Sequence, residues 1–272
     1  MKKGVFIAMF ALVVAAFLAA PLTSYAGGSV TGKVTYNGKP EEKEFLFSKF
    51  PNPKFCPKNP KKELVKGEKR ILPTIQLGPG NGLKGAVVAV VDIEDKAFMD
   101  SYKGTDVVAE FCEFMPFTGV VVKQKNFHVE NHDADPDDPG PKGDFPGKKG
   151  VLHNPHTFEV LGPSSSTVFN IALAEKDSKL DKPVVLRKDK QGSVLRLQCD
   201  QHEFMQGFYL PVTNPHYTVV KDDGTFEIKD VPAGKHKIVA WHPGDGKGMR
   251  VEMEVDVPEG GKADAKIELK KK

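Results

Sequence analysis

The chain has 272 residues, with 39 Lys and Arg against 36 Asp and Glu and a formal net charge of +3. The basic residues are scattered among acids, which excludes the basic stripe or patch that nucleic-acid binding requires. The length admits one large or two small domains, and 26 Gly and 21 Pro between short β-branched runs point to all-β structure.

Residues 1–26 have a basic start (Lys2, Lys3), an apolar run from Val5 to Ala20 and the small-residue ending Ser24, Tyr25, Ala26. This pattern predicts a secretory signal peptide cleaved after about Ala26, and hence a periplasmic or secreted protein. The run is short for a membrane span and no basic stop-transfer flank follows it, so no span is expected after cleavage. In an oxidising compartment three cysteines leave one over after a single pair forms.

The stretch from Ser29 to Pro40 alternates β-branched with small or polar residues and closes on Asn37-Gly38, so it predicts an opening strand and turn. Glu41 to Pro73 is rich in Lys, Pro and Asn without a sustained period, and is expected to be a long surface excursion with solvated charges, pinned at Cys56. Lys84 to Asp92 is a near-continuous apolar strand of the kind buried on both faces. Ile93 to Glu110 is ambiguous. Val120–Val122 and Asn126–Asn131 predict two more strands. The acidic, Pro- and Gly-rich stretch His132 to Asp144 predicts a solvated loop. A calcium loop is the sharper alternative, but the Asp spacing does not match an EF-hand and no closing Glu follows.

Val151 to Val160 predicts a strand carrying His153 and His156. Phe169–Leu173 and Val184–Leu186 continue the pattern, and Gly192 turns the chain into the run Val194, Leu195, Leu197 that ends at Cys199. Phe208 to Val212 predicts the following strand. Between the two lie Cys199, His202 and Met205, spaced C-x2-H-x2-M. A thiolate, two imidazoles and a weak axial thioether make up a blue-copper site; one loop offers three of these four, and His153 upstream offers the second imidazole. Each residue alone has a blander reading as a buried thiol, a surface His and a core Met. If Cys199 binds metal, Cys56 and Cys112 are the natural disulfide; a bridge from Cys199 to either would destroy the site. His153 and His156 are three apart, so on an extended strand only one of them reaches Cys199. His202 is expected to present a ring edge to solvent beside Phe204 and Phe208, an apolar rim suited to transient docking of a redox partner. After Asn214-Pro215, the runs 216–220, 225–228, 236–241 and 250–256 with turns between them predict a small antiparallel meander.

The span from about Glu110 to Val212 resembles the cupredoxins. Its loop Cys199-Asp-Gln-His-Glu-Phe-Met205 is similar to the ligand loop of the amicyanin type, and Leu152-His-Asn-Pro-His156 is similar to that type's His-Asn-x-His segment. The resemblance implies one type 1 copper site with ligands His153, Cys199, His202 and Met205. It further implies that Asn154 ties the two ligand segments together through its amide on the Cys199 sulfur, with His156 behind the ligands or on the surface. Thr225 to His242 resembles the second half of a carboxypeptidase regulatory-like, transthyretin-like domain, whose usual first half matches Gly28 to Val34 far upstream. The expected fold is therefore a cupredoxin Greek-key sandwich inserted in or fused to a small transthyretin-like antiparallel sandwich. In it, 27–107 supply N-terminal strands and the excursion, 108–212 the copper module, and 213–272 the rest of the second sandwich. Exported methylamine-utilisation-type proteins combine such modules. The acidic insertion before His153 and Glu203 in place of Pro depart from the pattern without removing a ligand.

The expected function is electron transfer between exported redox partners, a cytochrome or a dehydrogenase, docked transiently. The His-Cys-His pattern that couples several copper centres is absent, so an enzyme is not expected. Copper storage or delivery is the alternative, and a structural or carbohydrate-binding surface protein is the third reading.

Overall fold

Two-residue alternation, repeated along nearly the whole chain and interrupted by Gly and Pro, produces an all-β fold. A computed structural model describes residues 27–135, 149–246 and 248–271; the expected signal segment and the part of the acidic stretch from 136 to 144 lie outside them. Among the described residues the single α-helix is Lys96–Ser101, capped by the Asp95 carboxylate, which accepts from the Phe98 N–H. No described helix is long and apolar enough to cross a membrane.

The two ends of the chain build one sandwich. Gly28–Tyr36 lies between Thr225–Val231 and Lys262–Leu269, and this sheet packs on a second in the order 217–219, 87–90, 234–242, 249–257. Val30, Val34, Ile238, Val257 and Ile267 fill the space between. The meander expected after Asn214 is broken up. Thr225–Val231 leaves its sequence neighbours to pair with Gly28–Tyr36, and Lys262–Leu269 runs parallel to the same strand. No expectation covered this last strand, although its burial alternates strictly: Ala263, Ala265, Ile267 and Leu269 point inward between charged residues. The small alanines leave only a weak apolar signal, and a strand 226 or more residues downstream supplies the edge that Gly28–Tyr36 needs.

The second sandwich occupies 105–211. One sheet has the order 164–170, 155–161, 194–199, 206–211, 118–121 and the other 179–183, 126–131, 105–110, 113–115. Phe114, Phe127, Leu195, Leu197 and Tyr209 form its core. The run expected as a strand at Val184–Leu186 is instead the tail of the polar edge strand Lys179–Pro183, with Val184 and Leu186 buried and Val185 exposed. The expected strand 151–160 is split at Asn154 into Lys149–His153 and Pro155–Leu161, which belong to different sheets.

The sandwiches share a third apolar layer. Val87, Ala89, Val239 and Trp241 of the first meet Val120, Phe208, Leu210 and Val212 of the second. This layer explains the unbroken apolar run at 87–90: Val88 and Val90 face the first core while Val87 and Ala89 face the interlayer, so both faces are buried. Phe208 pairs with Arg196 on the outer face of the site strand, and therefore turns towards the first sandwich.

Glu41 to Ile75 is a folded unit and not a solvated excursion. Glu41–Leu46, Val65–Lys66 and Lys69–Ile75 form a small antiparallel sheet with Phe47, Phe55, Leu64, Arg70 and Ile71 buried. Its outward charges pair across the strands, Lys66 with Glu42 and Lys69 with Glu44. Its apolar residues were hidden from a periodicity reading by the Pro- and Lys-rich segment at 51–62 between the strands.

Trp241 is 3 % exposed and the only tryptophan of the chain. Trp241→Ala is expected to lower unfolding stability by about 3–5 kcal/mol, the range for truncating a buried aromatic, read as a lower urea midpoint.

Candidate metal centre

Val194–Cys199 is the middle strand of the five-stranded sheet. Leu195, Leu197 and Cys199 point into the core while Val194, Arg196 and Gln198 point away, so the thiol ends an inward-facing row. Antiparallel pairing sets Pro155 opposite Cys199. Asn154 is thereby placed beside the thiol: its N–H donates to Cys199 Sγ at 3.3 Å and its carbonyl accepts from the Asp200 N–H at 3.3 Å. The loop after Cys199 closes on itself. Met205 N–H donates to the His202 carbonyl at 2.8 Å and Cys199 N–H to the Met205 carbonyl at 3.1 Å, folding His202 and Met205 back over the strand end.

Three donor atoms converge as a result. Cys199 Sγ lies 3.8 Å from His202 Nδ1 and 4.0 Å from His153 Nδ1, and both imidazoles are fully buried. Metal–thiolate and metal–imidazole bonds of about 2.3 and about 2.0 Å span such gaps with an obtuse angle at the ion. Met205 is buried in the same core.

The far nitrogens of the two rings decide their tautomers. His202 Nε2 sits 3.1 Å from the Pro51 carbonyl, which can only accept, so Nε2 carries the proton and Nδ1 presents its lone pair towards the sulfur. His153 Nε2 donates to Asp133 Oδ2 at 2.8 Å, with the same outcome. Asp133 is buried and also accepts from the Phe111 and Cys112 N–H groups at 2.6 and 2.8 Å. Burial opposes ionisation of Cys199, but when His153 or His202 carries a proton on Nδ1 as well, its hydrogen bond to the sulfur and its charge outweigh burial and bring the thiol down from 9.0 to about 6. Burial likewise works against a charged His153, and Asp133 and the Cys199 sulfur overcome it, raising its pKa.

Cys56 and Cys112 form a disulfide and Cys199 is free. The bridge adjoins the centre: each sulfur lies within 4.8 Å of a His202 ring nitrogen. It ties the 41–75 unit to the hairpin at 110–113, assisted by Asn59 Nδ2 donating to the Phe111 carbonyl and by the Lys61–Glu113 ion pair. This unit is a cover over the site.

The cover overturns one expectation. His202 shows no ring edge to solvent, and Phe204 is only 1 % exposed, boxed by Phe45, Phe47 and Phe50 at 5.9, 6.2 and 5.1 Å between ring centroids. Phe208 is buried against the first sandwich and stacks edge-on with Phe117. Neither forms a docking rim, because segments far away in sequence fill the space each ring would face. His156 stands apart from the donor set. Its Nδ1 meets the Asp200 carboxylate at 3.0 Å, its Nε2 meets Thr167 Oγ1 at 3.0 Å, and its ring lies on Phe158.

Asp133, Pro51 and Arg70 were not among the candidate residues. Asp133 belongs to the acidic stretch, where its inward turn carries no local sign; a proline carbonyl has none either. His132 pairs only loosely with Glu130, at 3.5 Å.

Compared with family models, curated proteins and solved structures, the chain matches none.

Two outcomes follow from this geometry. For a metal held by His153 and Cys199, Asp133→Asn is expected to weaken binding about 10- to 100-fold, the usual cost of losing a carboxylate behind a ligating imidazole, measured by competition with a chelator. The double change Cys56→Ser, Cys112→Ser is expected to cost about 2–5 kcal/mol of stability, measured by denaturant unfolding.

Proposed function

We propose that the protein is an exported one-electron carrier built around a single type 1 copper ion, held by Cys199, His153 and His202 with Met205 as a weak axial donor. The observation that carries this reading is the convergence of one thiol and two Nδ1 lone pairs, each imidazole fixed from behind by an acceptor. One thiolate, two imidazoles and a thioether favour copper over zinc, which selects tetrahedral sites without thioether. Copper in such a set supplies one-electron chemistry between its two common oxidation states.

The chain's own residues would make that exchange easy. The disulfide, the Asn154 amide and the loop bonds through Met205 fix the donors in one arrangement, so little has to move with oxidation state. Phe45, Phe47, Phe50 and Phe204 exclude water from the His202 side. On this reading the partner is a small exported redox protein, and the route outward from His202 runs through the Pro51 carbonyl to the cover and not through an open ring edge.

The same cover favours a second reading, copper retention, because a sealed donor set releases an ion slowly. Fast electron exchange with a soluble mediator supports the carrier, and slow exchange combined with very slow release to a chelator supports retention.

The oxidised, copper-loaded protein is expected to show intense thiolate-to-copper absorption in the visible. Cys199→Ser abolishes it, because a hydroxyl cannot replace a soft thiolate, whereas Met205→Leu keeps the colour and shifts the potential. Stoichiometric Cu(II) bound without colour overturns this assignment.

A further inference from the structure

Beyond the donor set, one cation is buried in the cover with only part of its hydrogen-bonding capacity satisfied. Arg70 stands on Lys69–Ile75 of the cover and is 2 % exposed, among the largest fully buried side chains. Its Nε and Nη1 have no hydrogen-bond partner. Its guanidinium lies over the Phe204 ring, 5.4 Å from the centroid, and that ring packs on His202 with centroids 5.6 Å apart. The carboxylate of Glu113, whose negative charge acts on the guanidinium, is ion-paired with Lys61 at 2.8 Å. A guanidinium with two nitrogens left without hydrogen bonds in such a place is costly, since burying an incompletely paired charge is destabilising.

The charges around the centre give it a use. Cys199 contributes a thiolate and Asp133 a second negative charge through its hydrogen bond to His153. Both favour the more highly charged ion, and burial strengthens their effect because little water screens them. With Asp133 alone, the oxidised centre would be near neutral and the reduced one negative. A positive charge behind Phe204 reverses that balance.

Resting on the copper reading above, we infer that Arg70 sets the reduction potential of the centre: its buried positive charge favours the reduced ion and offsets Asp133. Arg70 is a positioning residue in the electrostatic sense, since it touches neither the donors nor the ion. The cover is then part of the redox machinery as well as a seal.

The test is an equilibrium titration of the copper-loaded full chain against a soluble redox mediator of fixed potential, followed at the visible thiolate band. Arg70→Met removes the charge, and the exchange equilibrium is expected to shift roughly tenfold or more towards the oxidised ion, the size of a unit charge acting over ~10 Å at an effective dielectric near 20. Arg70→Lys loses the planar stack on Phe204 but keeps a cation, and is expected to stay near the unmodified protein. Lys69→Met, an exposed neighbour, serves as the control and should leave the equilibrium in place. If Arg70→Met does not fold, Arg70→Gln makes the same neutralisation with a polar side chain. Equal shifts in the Met and Lys variants, or no shift in the neutral variants, overturn the inference while the copper reading stands. Absence of the thiolate band in the unmodified protein removes both.

Discussion

Two hydrogen bonds made by the outer nitrogens of two histidines organise this molecule. His153 Nε2 to Asp133 and His202 Nε2 to the Pro51 carbonyl, at 2.8 and 3.1 Å, set both tautomers and aim two lone pairs at one sulfur. Without them each ring could flip or take up its proton at Nδ1, and the donor set would be lost though every donor remained in place. Each acceptor must itself be held. Asp133 is held by the backbone amides of Phe111 and Cys112, and Pro51 by a cover whose chain is bridged to Cys112. Cys112 thus serves both rings at once, through its amide on one side and its disulfide on the other.

The same economy runs through the packing. The site strand Val194–Cys199 turns Leu195 and Leu197 into the core of the second sandwich, while the next strand, Gln206–Pro211, turns Phe208 and Leu210 into the layer shared with the other sandwich. This sheet is therefore dry on its inner face and, at Phe208 and Leu210, on part of its outer face, and the centre sits where the inner face ends. The loop from Asp200 to Met205 is closed by its own backbone hydrogen bonds and buries His202, Phe204 and Met205 between the strand end and the cover. On the proposed copper reading, donors held this closely would change oxidation state with little rearrangement and would exchange the ion slowly. The closed cover thereby links the two proposed readings, carrier and store, to one structural cause.

Part of the candidate site was legible because its residues are local. Cys199, His202 and Met205 fall within one loop between two strands, and loops of that length keep residues together whatever the rest of the chain does. His153 came from the resemblance of its segment to the His-Asn-x-His pattern; the break of the strand at Asn154, where the amide reaches the sulfur, showed only in the structure. The placement of His156 on the outside, bound to Asp200, agrees with its three-residue offset. The doubly buried strand at 87–90 could likewise be read from an unbroken apolar run. The docking rim at Phe204 and Phe208 could not be judged in this way, because exposure is a property of what lies opposite.

The chain by itself determined the all-β character and the donor loop, since alternation and spacing act over a few residues and need no partner. Tertiary structure alone decided what surrounds that loop. Pro51 meets His202 across 151 residues, Asp133 meets His153 across 20, and Arg70 reaches Phe204 from a segment that reads as solvated. Burial, tautomer and electrostatic balance depend on these meetings, and a pattern with a period of two carries no information about which distant segment will close over a strand end.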